Sequence, residues 1–243
     1  MYGEILFNNK DIYNCEYDLT NFNFSYSIDS DCFKTLNKKK NLLILFGDSH
    51  GTHLLPMLNQ SKQFGAIYAK TFNGCPFVKD LRVIPKNVNW SDIEKDLCQN
   101  YIANQLENLS YIDNDNYDNI YILISSRYSA YIDITNFYPN NSSKKIDEDL
   151  KYNELSVKLN TTIEHIQKIN KKFKIILFSP LPEFEFYPYS CLLNKKYCFM
   201  DTFKDNIRIT PIKKIFNNLE KKFTNLKIFD PYQFICKNEK ICS

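Results

Sequence analysis

Phe46-Gly47-Asp48-Ser49-His50-Gly51 puts a hydroxyl between a carboxylate and an imidazole, directly behind the apolar run Leu42 to Phe46. A short apolar run closed by glycine reads as a buried parallel strand, and His50 to Gln60, with Leu54, Leu55 and Leu58, reads as the helix after it. Ser49 is therefore expected at a strand-to-helix turn, where unpaired N–H groups and the helix dipole favour negative charge. That suits a nucleophile attacking an ester, whose oxyanion would take the serine's own N–H as one donor. A plainer reading is open at the same residues: Asp48 or Ser49 caps the helix. Gly47-x-Ser49-x-Gly51 also has the form of a G-x-S-x-G nucleophile elbow. Only 46 residues precede the glycine, too few for the strands that come before such an elbow, and no His-Gly-Gly lies upstream.

The elements that would position this turn alternate. Phe64 to Thr71, Tyr117 to Ser125, Lys174 to Ser179 and Leu226 to Phe229 read as four further strands. Helices are expected from Ser91 (an N-cap box, Ser91-Asp92-Ile93-Glu94) to about Leu109, from Asp147 to Lys171 and from Pro211 to Phe223. Asn73 to Trp90 and the segment around Asn140-Asn141-Ser142-Ser143 read as loops. Alternating strands and helices argue for an α/β domain with a parallel sheet covered on both faces, whose ligands bind beyond the carboxyl ends of the strands. Residues 1–36 read as an irregular cap with one disulfide, and 37–243 as the main domain.

Composition narrows the classes. With 31 basic against 28 acidic side chains the net charge is +3, which excludes a strongly basic nucleic-acid binder. The longest apolar run is far short of the ~18 residues of a membrane helix, so no transmembrane segment is expected. Eight cysteines fall into local pairs, Cys15/Cys32, Cys75/Cys98, Cys191/Cys198 and Cys236/Cys242, without any C-x-x-C. With only His50, His53 and His165 beside them, zinc-ligand spacing is absent, and disulfides in an oxidising compartment are the better reading. Sequential pairing rests on short loop closures alone. The N-terminus lacks the basic start, apolar core and cleavage site of a signal peptide, in tension with the cysteines.

Leu45-Phe46-Gly47-Asp48-Ser49-His50 resembles the first signature block of the SGNH (GDSL-like) hydrolase superfamily. From Cys15 onward the chain resembles one branch of it, the SGNH domain fused behind acyltransferase family three membrane proteins, which O-acylate bacterial surface polysaccharides. The resemblance is carried by Gly74-Cys75-Pro76, Cys98, Ser126-Arg127-Tyr128, Pro180-Leu181-Pro182, Cys191/Cys198, and Asp230-Pro231 followed by Cys236 and Cys242. It implies a flavodoxin-like three-layer α/β/α sandwich, with a central parallel sheet of about five strands and disulfide-stapled loops. It also implies Ser49 as nucleophile, Gly74 as donor of a second oxyanion N–H, and no cofactor or metal. Asp48 and His50 are candidate binding residues. Gly74 is equally readable as a turn glycine at positive φ, and Arg127 as either an oxyanion or substrate contact or a surface residue at a strand end.

Two departures bear on activity. The superfamily's Gly-x-Asn-Asp block is replaced by Ser125-Ser126-Arg127-Tyr128, and the Asp-x-x-His block that carries the base is not found before Ser243. His50, His53 and His165 do not substitute for it, so the chain as given is expected to be a nearly inactive fragment. The function implied is transfer of an acyl (acetyl) group through an acyl-serine, from a membrane acyltransferase domain as donor to a surface glycan as acceptor. This would take place in the periplasm or on the extracytoplasmic face of the membrane. A carbohydrate O-acetylesterase and a catalytically silent, disulfide-stapled glycan-binding module are the alternatives.

Overall fold

Strands β1 (Glu16–Tyr17) and β2 (Phe33–Thr35) precede β3 (Asn41–Gly47), the strand of the apolar run. Helices α1 (Ser49–Thr52) and α2 (Leu55–Gln60) lead to β4 (Ala66–Phe72), β5 (Leu81–Pro85) and α3 (Asp92–Asn108). Then come β6 (Asn119–Ser125), α4 (Tyr128–Ile134), β7 (Thr135–Pro139), α5 (Lys151–Ile169) and β8 (Lys174–Phe178). The order closes with β9 (Met200–Asp201), α6 (Thr202–Lys222), β10 (Leu226–Phe229), α7 (Tyr232–Ile235) and β11 (Ile241–Cys242). In this computed structural model the described residues are 16–17, 32–36, 40–86, 92–112, 116–139, 142, 144–181, 200–235 and 241–242.

The main sheet has seven strands in the order β1-β4-β3-β6-β8-β10, with β2 also on β4. The five strands expected from the sequence are adjacent and parallel, from β4 to β10 at one edge, and β2 alone is antiparallel to its neighbour. Two short strands from the first 36 residues thus complete the β4 edge. Because side chains alternate along a strand, β3 feeds two cores. Leu42, Ile44 and Phe46 pack with Tyr101 and Ile102 of α3, Leu159 and Ile163 of α5, and Phe216 of α6. Leu43 and Leu45 pack with Leu54, Leu55 and Leu58 on the opposite face. Helices therefore cover both faces, giving the α/β sandwich the sequence implied.

Four boundaries differ from the sequence reading. The helix expected from His50 to Gln60 breaks between α1 and α2, because Pro56 opens α2 and has no N–H to carry a hydrogen bond back across the join. The helix expected from Pro211 begins at Thr202 and carries the proline inside it, its buried face running from Ile209 through Ile212 and Phe216. Within the two stretches read as loops, β5 and β7 pair antiparallel as a separate ribbon with Val83 opposite Phe137. The segment after β6 also contains α4, whose Tyr128, Tyr131 and Ile132 are buried.

Cys75 and Cys98 form a disulfide with Cα atoms 5.5 Å apart, and Cys32 is also disulfide-bonded. Cys15, Cys191, Cys198 and Cys236 lie outside the described residues, and so does the side chain of Cys242. Among the described residues no helix is long and apolar enough to cross a membrane.

Candidate functional site

The three central strands β4, β3 and β6 end level with one another, since Gly47 is in register with Thr71 on one side and Ser125 on the other. The segments leaving them carry Asn73-Gly74, Asp48-Ser49 and Ser126-Arg127. Fold topology thus brings the sequence-predicted residues Ser49, Gly74 and Arg127 to the carboxyl end of three adjacent strands, where open α/β sheets bind ligands.

Gly47 makes the turn possible. Its φ is +154°, and a Cβ there would lie 1.8 Å from the Ser125 carbonyl oxygen. No other residue lets the end of β3 lie against β6 this closely. The Asp48 N–H then donates to the same Ser125 oxygen at 3.3 Å. Gly51, the second glycine of the formal G-x-S-x-G pattern, lies where a Cβ would come 3.1 Å from Thr71 Cγ2. Close approach of β3 to β6 accounts for Gly47, and close packing of α1 on the strand ends for Gly51. Thr52 and Thr71 fasten the contact with a 2.8 Å hydroxyl–hydroxyl hydrogen bond.

Asp48 is 1% exposed, and its carboxylate is enclosed by protein donors. The His50 N–H donates to Oδ1 at 2.8 Å, which makes Asp48 the N-cap of α1. The Arg127 N–H (2.9 Å) and the Tyr131 hydroxyl (2.7 Å) donate to Oδ2. Burial pushes this carboxyl above the usual aspartate range, against the Arg127 N–H, the Tyr131 hydroxyl, the His50 charge and the His50 N–H, which all hold it down. The Tyr131 hydroxyl is pushed up in turn, by its own burial and by the neighbouring carboxylate. Asp48 therefore ties the Ser49 turn to the start of α4. Tyr131 is the residue the sequence reading missed. The i, i+3, i+4 spacing of Tyr128, Tyr131 and Ile132 is the signal that could have found its helix, but nothing local points to a partner 83 residues away.

Ser49 is partly exposed, and its hydroxyl has no hydrogen-bond partner among the described residues. Gly74 is exposed at φ +74° with nothing within 4 Å of an added Cβ, so only its conformation calls for glycine, and the space beside it is open. Behind it the Cys75–Cys98 bridge fixes the loop to α3, and Phe77 stacks on Phe46 with centroids 4.5 Å apart. The Phe77 N–H donates to Ser126 Oγ at 3.3 Å, joining the β4 loop to the β6 loop. Arg127 is exposed, with its backbone held by Asp48.

The three histidines are spread. The half-buried His50 has its ring 5.8 Å from that of the exposed His53. His165 lies half-buried on α5; burial lowers its pKa, and Lys79 and Lys168 lower it further. Among the described residues no cluster of three or more His, Cys, Asp or Glu side chains could hold a metal ion.

Comparison with known proteins agrees with this architecture. The periplasmic domain of a lipopolysaccharide acetyltransferase from Salmonella ser. Paratyphi A superposes with a TM-score of 0.58 at 16% identity, over 97% of this chain and 84% of that one. A Streptococcus pneumonia protein provisionally described as a platelet activating factor gives 0.45 at 16% identity, over 85% and 72%. No curated protein matches the chain. At such identities the Salmonella domain shows a shared fold and nothing finer. The family model for the SGNH domain fused to AT3 domains matches residues 14–243. With nearly the whole chain covered, the protein belongs to that family of SGNH domains.

Proposed function

We propose that this domain carries an acyl group on Ser49 and passes it to a hydroxyl of a surface glycan. The observation that supports the reading best is the meeting of Ser49, Gly74 and Arg127 at the level ends of β4, β3 and β6. Ser49 Oγ adds to the acyl carbonyl, its proton passing to a base. The resulting oxyanion takes the N–H groups of Ser49 and Gly74, with Arg127 beside them. Collapse expels the donor's leaving group and leaves an acyl-serine. Attack by a glycan hydroxyl then transfers the acyl group and restores Ser49. Asp48 and Tyr131 hold the turn in this reading.

The family resemblance gives the role of base to the histidine of an Asp-x-x-His block. The acyl donor would be the AT3 partner and the acceptor a bacterial surface polysaccharide. The family match and the acetyltransferase relative support both assignments. We place the domain outside the cytoplasm, a reading supported by the Cys75–Cys98 disulfide and by the periplasmic relative.

The reading passes through an acyl-serine, so the decisive test is stoichiometric acylation. The chain is incubated with p-nitrophenyl acetate, and the peptide bearing Ser49 is followed by mass spectrometry. An acetyl group on Ser49 that is lost in Ser49→Ala and is discharged faster by added glycan than by water is the expected result. Acetylation that persists in Ser49→Ala removes the nucleophile assignment, and discharge indifferent to glycan favours hydrolysis.

A further inference from the structure

Lysines crowd the end of the sheet remote from Ser49. The parallel strands β4, β3, β6, β8 and β10 all begin there, and α5 and α6, which return the chain to those starts, end there. Lys168, Lys171 and Lys172 occupy the last turn of α5 and the turn after it, and Lys221 and Lys222 end α6. Lys40, Lys62, Lys174 and Lys227 flank the starts of the strands. All nine are exposed. Four acids share this end among the described residues: Glu107, Asp118, Glu164 and Glu220. Glu164 is already paired with Lys222 at 2.9 Å, and Glu220 accepts the Ile228 N–H at 3.1 Å and lies 3.9 Å from the Lys227 ammonium. In a chain of 31 basic and 28 acidic side chains, this is a marked segregation of charge.

The surface is level and tied together. Asn41 pairs with Asn119, Leu42 with Ala66 and Leu226 with Ile175, so the strands begin at similar heights. The Asn41 amide donates to the Gln63 carbonyl (3.1 Å), the Asn119 amide to Asn41 Oδ1 (2.9 Å) and the Lys174 ammonium to Asn119 Oδ1 (2.6 Å). The Asn225 amide donates to the Lys171 carbonyl (2.5 Å). Every cation named is a lysine. Lysine offers a hydrated point charge, whereas recognition of a single phosphate favours the planar fork of arginine.

We infer that this lysine plate seats the domain on an anionic lipid bilayer, with ammonium groups against phosphate headgroups. A flat array of point charges matches a flat, diffusely charged surface within a Debye length of it. Strands of this length, at about 3.3 Å per residue, hold Ser49 on the order of 20–25 Å above the headgroups, facing away from the lipid. The inference does not depend on acyl transfer and is tested without it.

The whole chain is sedimented with vesicles of phosphatidylcholine containing 30% phosphatidylglycerol, and with vesicles of phosphatidylcholine alone. The expected result is binding to the anionic vesicles at 0.1 M salt and at least about tenfold weaker binding at 1 M, where the Debye length falls to about 3 Å. Lys171→Glu with Lys172→Glu should weaken binding at least about tenfold. The charge-matched pair Lys144→Glu with Lys145→Glu, before α5 at the other end of the sheet, should change it less than about threefold. Circular dichroism of both variants checks the fold. Equal binding to neutral vesicles, or equal losses in the two pairs, overturns the inference. Capture by soluble heparin without vesicle binding also overturns it and assigns the plate to a soluble polyanion.

Discussion

At the carboxyl end of the sheet, loops are joined by buried groups: the enclosed Asp48 carboxylate, Ser126 Oγ beneath the Phe77 N–H, and the disulfide behind Gly74. At the amino end the loops are joined by exposed and half-exposed amides and ammonium groups, Asn41, Asn119, Lys174 and Asn225. A hydrogen bond that loses its partner inside the protein leaves a desolvated group behind, while one lost at the surface is replaced by water. Substitutions at the carboxyl end should therefore cost more than those at the amino end, a contrast that suits the role proposed for Ser49.

Glycine substitution should show the widest gap. Gly47→Ala forces a Cβ to within 1.8 Å of a backbone oxygen at positive φ, and we expect a loss of at least about 3 kcal/mol in urea unfolding. Gly74→Ala meets nothing within 4 Å and should lose only about 1 kcal/mol from its φ. Near-equal losses would show that the strand end can yield. Next, Cys75→Ser with Cys98→Ser opens a link of 23 residues and should lower stability by about 3 kcal/mol in urea unfolding. At the amino end, Asn119→Ala should lose less than about 1 kcal/mol, because water replaces its partners. A loss as large as that at the disulfide would erase the contrast.

Legibility in the sequence follows the same division. Strands β3, β4 and β6 were readable because burial on both faces makes them largely apolar, and the Asp48-Ser49 turn because it directly follows such a run. The antiparallel ribbon was not readable: β5 and β7 are five residues each and lie far apart in the chain. Lys151 is a charged residue to which the sequence reading assigned nothing. Its side chain is fully buried, and its ammonium donates to the Ile132 (3.0 Å) and Thr135 (2.5 Å) carbonyls at the end of α4. It closes a helix C-terminus that the sequence never announced. A cap at Asp48 or Ser49 was one of the readings left open in the sequence; the structure gives it to Asp48, whose second role needs Arg127 and Tyr131, which only the folded chain brings near.

The smallest effects expected, and the sharpest in sign, concern pH. Burial raises the Asp48 carboxyl, so above about pH 4 the native state holds a proton that the unfolded chain has released. Stability from this group therefore declines as pH rises from about 4 through the raised native value. Glu164 behaves oppositely: the Lys222 and Asn160 hydrogen bonds hold it below the ordinary glutamate range. Its contribution is complete above that range and is lost as pH falls through the lowered value. Because Glu164 is half-exposed and Lys222 exposed, solvent screens the pair and the effect is slight. Urea midpoints between pH 3 and 7 should show Asp48→Asn flattening the decline on the alkaline side and Glu164→Gln flattening the one on the acid side. If Asp48→Asn instead shifts every midpoint equally, the carboxyl is ionised throughout this range and its three donors outweigh its burial. The turn that holds Ser49 would then be an anionic one, and the two ends of the sheet would differ in burial but not in the sign of their response to acid.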